Sequence, residues 1–182
     1  MFTEPSVGVV TGVLEPLELQ TEGQVLADLY TGFYRGFQIR RFDLTSCVPA
    51  GAGAAGAGAS MAFRRQTAIE LALFDNELDA GTASLSGGDH YAMYSVMRAG
   101  YTLWFNPSAL AWHRHRRTME ELEKAVYGYG SVRSGRKRHT PSPRSRRALT
   151  GLRWHVYPVL AWRSDRAHSR PRIWRSLNFG DC

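Results

Sequence analysis

Near the start of the chain, Val7-Gly-Val-Val-Thr-Gly-Val13 is a β-branched run bounded by Glu/Pro pairs at Glu4-Pro5 and Glu15-Pro16. Stiff branched side chains with almost no polar alternation read as a buried strand. Such a strand needs strands beside it and cover on its faces, so it predicts an α/β domain. A domain of that kind does not ordinarily open on a central strand, so further sequence upstream is expected. The 182 residues, 43% hydrophobic and 12% aromatic, are enough for one ordinary core or for half of a larger one.

The rest of the first 130 residues alternates between helical and extended patterns. Gln20–Tyr34 carries Val25, Leu26, Leu29 and Phe33 at helical spacing, with Gly36 as a stop. Arg40–Val48 is ambiguous. Ser60-Met-Ala-Phe63 reads as a strand and Gln66–Leu73 as a short helix. Phe74–Ser86 is an acidic, glycine-containing loop. His90–Ala99 predicts a helix with Tyr91, Tyr94 and Met97 on one face, closed by Gly100. Tyr101, Leu103 and Phe105 alternate as in a half-buried strand that Pro107 is expected to end, with Leu110–Trp112 as a further short strand. Thr118-Met-Glu-Glu121 is a capping box that starts a helix bearing Met119, Leu122, Val126 and Tyr129.

Charge divides the chain. Residues 1–112 hold six Lys and Arg against eleven Asp and Glu, whereas residues 113–182 hold seventeen against five. The overall charge of +7 therefore belongs to the C-terminal part, where Ser131–Arg147 is rich in Arg, Ser and Pro and Leu149–Trp162 regains a helical pattern. Such a cluster suits an anionic partner: lipid, nucleotide phosphate or nucleic acid. Two cysteines make no disulfide framework, so reducing cytosol is the expected compartment. No signal peptide and no apolar stretch of spanning length is visible.

Four segments offer chemistry. In Ser86-Gly-Gly-Asp89 the carboxylate suits a general base approached closely over two glycines, or else a helix cap. In Trp112-His-Arg-His-Arg-Arg117 imidazoles and guanidiniums suit a metal and phosphate together, or else a solvated basic turn. Phe74–Thr82 carries Asp75, Glu77 and Asp79, which suit a hard cation or a plain acidic surface. A literal G-x-G-x-x-G at Gly51, Gly53 and Gly56 sits in a Gly/Ala tract without the strand before and helix after that a dinucleotide loop requires, so a flexible or packed segment competes with it.

The order of these pieces is more specific than any one of them. Val7–Val13 is followed by Gly58-Ala-Ser-Met-Ala-Phe-Arg-Arg65, Phe74-Asp…Leu78-Asp-Ala-Gly-Thr82, Gly87-Gly-Asp89, Ala99-Gly-Tyr-Thr-Leu, Pro107…Trp112-His-Arg-His-Arg-Arg117 and Tyr127-Gly-Tyr-Gly130. Over residues 5–132 this resembles the second, acceptor-binding half of the inverting glycosyltransferases of family 2.

The resemblance implies a partial GT-A-type α/β sandwich over 1–132, followed by a basic, partly helical or disordered tail over 133–182. It implies transfer of a sugar from a nucleotide-sugar donor to a saccharide or lipid-linked acceptor hydroxyl. Asp89 would be the catalytic base and His113 a ligand of Mg²⁺ or Mn²⁺. Gly87, Gly88, Arg64, Asp79, Gly81, Thr82, Trp112, Arg116 and Arg117 would bind substrate. The expected location is the cytoplasm, with the tail in peripheral contact with the inner membrane face. Two departures stand out: no Asp-x-Asp is present, and Ser60 occupies a position where the family commonly has Asn. The donor-binding half is therefore expected to be missing from this chain. Two other readings compete, a basic nucleic-acid-binding protein and a non-catalytic interaction module.

Overall fold

The β-branched run becomes the central strand β1 (Val7–Pro16) of a sheet. In this computed structural model the described residues are 1–31, 36–78, 82 and 85–133. After β1 come α1 (Glu22–Thr31), β2 (Arg40–Phe42), two 3₁₀ segments (Pro49–Ala55 and Gly58–Ser60), β3 (Met61–Phe63), α2 (Arg65–Glu70), α3 (Gly88–Arg98), β4 (Thr102–His113) and α4 (Met119–Arg133). The strands form one mixed sheet in the order β2-β4-β1-β3, so the chain is an α/β protein. β1 runs parallel to β4, while β2 and β3 pair antiparallel on the outer edges. A parallel pair buried at the centre accounts for a β1 with almost no polar alternation.

The core lies between the sheet and α3. Val9, Val13, Leu103 and Phe105 of the parallel pair meet Ala92, Met93, Val96 and Met97, with Leu73, Ala52 and Ala55 closing the sides. Tyr91, Tyr94 and Met97 are buried as the helical spacing predicts, and Gly100 closes the helix at φ 88°.

Two expectations change, and one open choice is decided. Pro107 does not end a strand. β4 runs through it, because the register jumps from Gly12↔Asn106 to Val13↔Leu110 and leaves Pro107, Ser108 and Ala109 outside the ladder. A bulge tolerates the missing proline N–H, so Leu110–Trp112 continues the same strand. The α1 helix buries Gly23, Gln24 and Ala27, leaves Val25 and Leu29 of the expected apolar face exposed and Leu26 half-buried, while Phe33 lies outside the described residues. Gln24 is buried because it is satisfied: its Oε1 accepts from the N–H groups of Gln20 and Thr21, and its Nε2 donates to Glu18. Finally, the G-x-G-x-x-G glycines lie in and just after a 3₁₀ segment rather than between a strand and a helix, which removes the geometry a dinucleotide loop needs.

The capping box forms as read, with Glu121 N–H donating to Thr118 Oγ1 at 3.1 Å and Thr118 N–H to Glu121 Oε2 at 3.3 Å. The basic tail lies outside the described residues. Among the described residues, no helix is long and apolar enough to cross a membrane.

Candidate active site

Asp89 stands in the first turn of α3, and its backbone setting comes from the two glycines before it. Gly87, the N-cap, has φ 112°, a left-handed conformation that a side chain strains. A Cβ on Gly88 would lie 2.5 Å from the Leu78 carbonyl oxygen. Gly-Gly is therefore what lets the chain turn tightly under Leu78 and start the helix.

The carboxylate is more than a cap. Oδ2 accepts from the backbone N–H of Gly58 at 3.0 Å. Oδ1 accepts from the His90 N–H at 2.8 Å and contacts His90 Nδ1 at 2.9 Å. Burial works against the charge, but His90's ring hydrogen bond and charge, with the N–H groups of His90 and Gly58, outweigh it and lower the pKa to about 2. The Gly/Ala tract builds this cradle: a Cβ on Gly58 would come within 3.0 Å of Asp89 Oδ2, and one on Gly53 within 2.5 Å of the His90 ring. The tract is thus a packed wall against α3.

His113 ends β4 opposite Pro16, at the carboxyl ends of the two parallel strands. Open α/β sheets commonly bind ligands at that end. His113 Nδ1 lies 3.1 Å from His115 Nδ1, and His115 Nε2 lies 3.3 Å from Asp28 Oδ1 on α1. The His-x-His pair therefore does not chelate through its facing nitrogens, which hydrogen-bond to each other. Burial, the neighbouring His115 and Arg116 all lower the pKa of His113. All three disfavour the charged imidazolium, and the neutral imidazole is the form that binds a metal.

Electrostatics link the two sides. Partial burial raises the Tyr129 hydroxyl pKa, Arg116 opposes the rise, and Asp89 adds to it. Tyr129 thus lies within electrostatic reach of Asp89 and of the same Arg116 that acts on His113. Ser86 Oγ donates to the Gly128 carbonyl at 3.3 Å, which ties the loop before Asp89 to α4.

The other expected substrate residues divide. Arg116 is exposed beside His113, and Trp112, 64% exposed, ends β4 with it. Arg117 is held by Glu18 at 2.7 Å and reaches Gln20 at 3.4 Å. Arg64 is not brought to this cluster: its guanidinium donates to the Val7, Phe2 and Glu4 carbonyls and lies 5.7 Å from the Phe2 ring, pinning the opposite end of β1. Thr82 Oγ1 donates to the Glu77 carbonyl. Asp79 and Gly81 lie outside the described residues.

Among the described residues, no three His, Cys, Asp or Glu side chains gather to hold a metal. Asp75 Oδ1 instead accepts from the Glu77 N–H in a local turn. His113 supplies one imidazole donor, which fits a single position of a cation whose other ligands are phosphate oxygens. Sequence reasoning missed His90, Asp28 and Tyr129 as partners. His90 was legible only as the residue after Asp89, and nothing local pairs Asp28 with a histidine 87 positions away. Comparison of the chain with protein-family descriptions, with curated proteins and with solved structures finds no match.

Proposed function

We propose that this chain is the acceptor-side half of an inverting, family 2-type glycosyltransferase of GT-A fold, with Asp89 as the base. One observation carries the reading: a half-buried carboxylate at a Gly-Gly helix start shares an electrostatic neighbourhood with Tyr129 and Arg116 at the strand-end turn that bears His113. Asp89 takes the proton of the acceptor hydroxyl as the oxygen attacks the sugar's anomeric carbon, and the nucleoside diphosphate leaves from the opposite face. At about 2, its pKa keeps Asp89 ionised throughout the physiological range. So weak a base takes the proton late, after the forming C–O bond has acidified the hydroxyl.

Arg116 adds positive charge where the diphosphate would sit, and Trp112 offers an exposed ring to a sugar face. A divalent cation, when bound, supplies Lewis-acid neutralisation of the leaving diphosphate, with His113 as the ligand this chain contributes. Membrane contact by the basic tail would bring the site to a lipid-linked acceptor.

The decisive test is Asp89→Asn in an enzyme that carries this half with a donor-binding half. Transfer should fall by roughly 10²–10⁴ with folding retained. Near-normal turnover overturns the assignment. By itself the chain should bind UDP-, GDP- and dTDP-sugars weakly even with Mn²⁺. Tight, metal-dependent binding in calorimetry would show that donor recognition lies within these residues after all.

A further inference from the structure

Acidic residues thin out where the chain passes along the outer edge of the sheet. Between Asp28 and Glu70 the only Asp or Glu is Asp43, in a part of the chain that otherwise carries more acid than base. Arg40 and Arg41 fall in that interval, on the edge strand β2, and both are exposed. Asp43 is turned to its own loop. Its Oδ1 accepts from the Thr45 and Ser46 N–H groups at 2.9 and 3.1 Å, and its Oδ2 lies 3.4 Å from Arg41 Nε. The β2 rim therefore presents positive charge.

The same rim is apolar. Phe37, Ile39, Leu44 and Val48 are between 55% and 73% exposed, whereas Phe42 and Cys47 among them are buried in the core. Single exposed apolar residues are ordinary, but four large ones within residues 37–48, bordered by arginines, mark a contact surface. The turn that presents Leu44 is already formed, with Cys47 N–H donating to the Asp43 carbonyl at 2.8 Å. Little ordering is left to be done when a partner arrives.

We propose that this rim seats the folded part of the chain on an anionic bilayer. Phe37, Ile39, Leu44 and Val48 enter the headgroup boundary, and Arg40 and Arg41 meet lipid phosphates. A bilayer is the occupant the chemistry favours, because it takes apolar side chains and cations side by side without a groove or a matching shape. The seventeen Lys and Arg of residues 113–182 are drawn to the same negative surface. The rim also leads to the candidate site. Arg40 pairs with Phe105, and beyond that point no strand among the described residues covers the outer side of β4, which runs on to the exposed Trp112 and Arg116. That a seated site then meets a lipid-linked acceptor rests on the proposed function, whereas the seating rests on the surface alone.

Co-sedimentation of the full chain with phosphatidylcholine vesicles of rising phosphatidylglycerol content tests this, at low salt and again at high salt, where the tail's attraction is screened. Ile39→Ser/Leu44→Ser removes apolar groups that the core does not use, and should weaken partitioning about tenfold at either salt. Arg40→Ser/Arg41→Ser should weaken it at low salt only. Ile69→Ser/Phe74→Ser, a comparable loss of exposed apolar surface beyond β3, should leave it unchanged. No binding by the wild type, binding that Ile39→Ser/Leu44→Ser leaves intact, or an equal loss in the β3-side variant overturns the proposal. So does a dimer in sedimentation velocity that Ile39→Ser/Leu44→Ser abolishes while vesicle binding persists, which gives the surface to a second copy. Turnover in Asp89→Asn is read separately: a normal rate there ends the transferase reading and leaves the docking standing.

Discussion

The Asp89 side and the His113 side of the site are built from different materials. Around Asp89 the fixing groups are mostly backbone: the Gly58 and His90 N–H groups, the Gly87-Gly88 turn, and a Gly/Ala wall close enough that an added methyl would collide. Around His113 they are side chains: His115, Asp28 and, one turn on, the Thr118–Glu121 box. A backbone-built site is broken by adding atoms, and a side-chain-built site by removing them. Substitutions of the two kinds should therefore have opposite consequences on the two sides.

The largest expected effect falls where both sides meet. A Cβ on Gly12 would lie 2.0 Å from the Ala109 carbonyl oxygen and 2.6 Å from Ser60 Oγ, so Gly12→Ala forces the bulge of β4 away from β1. Overpacking against backbone costs up to about 3 kcal/mol, to be read as a lowered urea midpoint. A midpoint within experimental error of wild type would show that the contact yields easily, and that the backbone-built side is softer than its distances imply.

Next comes the charge of Asp89. Its folded pKa of about 2 lies below the ordinary carboxylate value. The stabilisation is therefore fully present above about pH 4 and is lost as the pH falls toward 2. It amounts to roughly 2 kcal/mol. Relative to Asp89→Asn, wild type should lose stability across that acid window and nowhere else. A difference curve flat from pH 5 to 2 would mean that the cradle does not favour the carboxylate.

On the side-chain-built half, Thr118→Ala should cost about 1 kcal/mol through the lost cap. Amide exchange should quicken in the first turn of α4 while Asp89 stays unchanged. Equal disturbance of both sides would erase the distinction between them. The smallest effect is expected from Gly53→Ala, where the added methyl meets the partly exposed His90 ring, which can swing aside. Stability should change by a few tenths of a kcal/mol. The Asp89 carboxyl, followed by ¹³C NMR, should nonetheless titrate higher as its His90 bonds lengthen.

What was legible in the sequence follows the same division. β1, the buried face of α3 and the start of α4 were readable because local pattern and core burial agree there: Val7–Val13, Tyr91/Tyr94/Met97 and Thr118-x-x-Glu121 each carry their own signal. Asp89 was readable as a carboxylate on a Gly-Gly turn, but its grip by Gly58 was not, because a backbone donor 31 residues away leaves no residue type to notice. The buried face of α1 was misread because Gln24 and Ala27 are covered by polar bonding and close packing, which hydrophobic spacing does not register. Pro107 was misread because a proline stops a regular ladder but not a bulged one.

That bulge also sets the parity of everything after it. Residues paired across strands point to the same side of a sheet, and successive residues alternate. Leu103 and Phe105 pair with Val9 and Thr11, and after the jump Leu110 and Trp112 pair with Val13 and Glu15, while His113 pairs with Pro16. Three skipped residues are an odd number. In an unbroken strand, His113 would share the face of Leu103 and Phe105; here Trp112 takes that face and His113 the other. Deleting any one of Pro107, Ser108 or Ala109 would interchange the tryptophan and the histidine without altering either. At this point of the chain a change in length is thus a change in chemistry, and relatives should tolerate substitutions in the bulge far more readily than a shift of one residue.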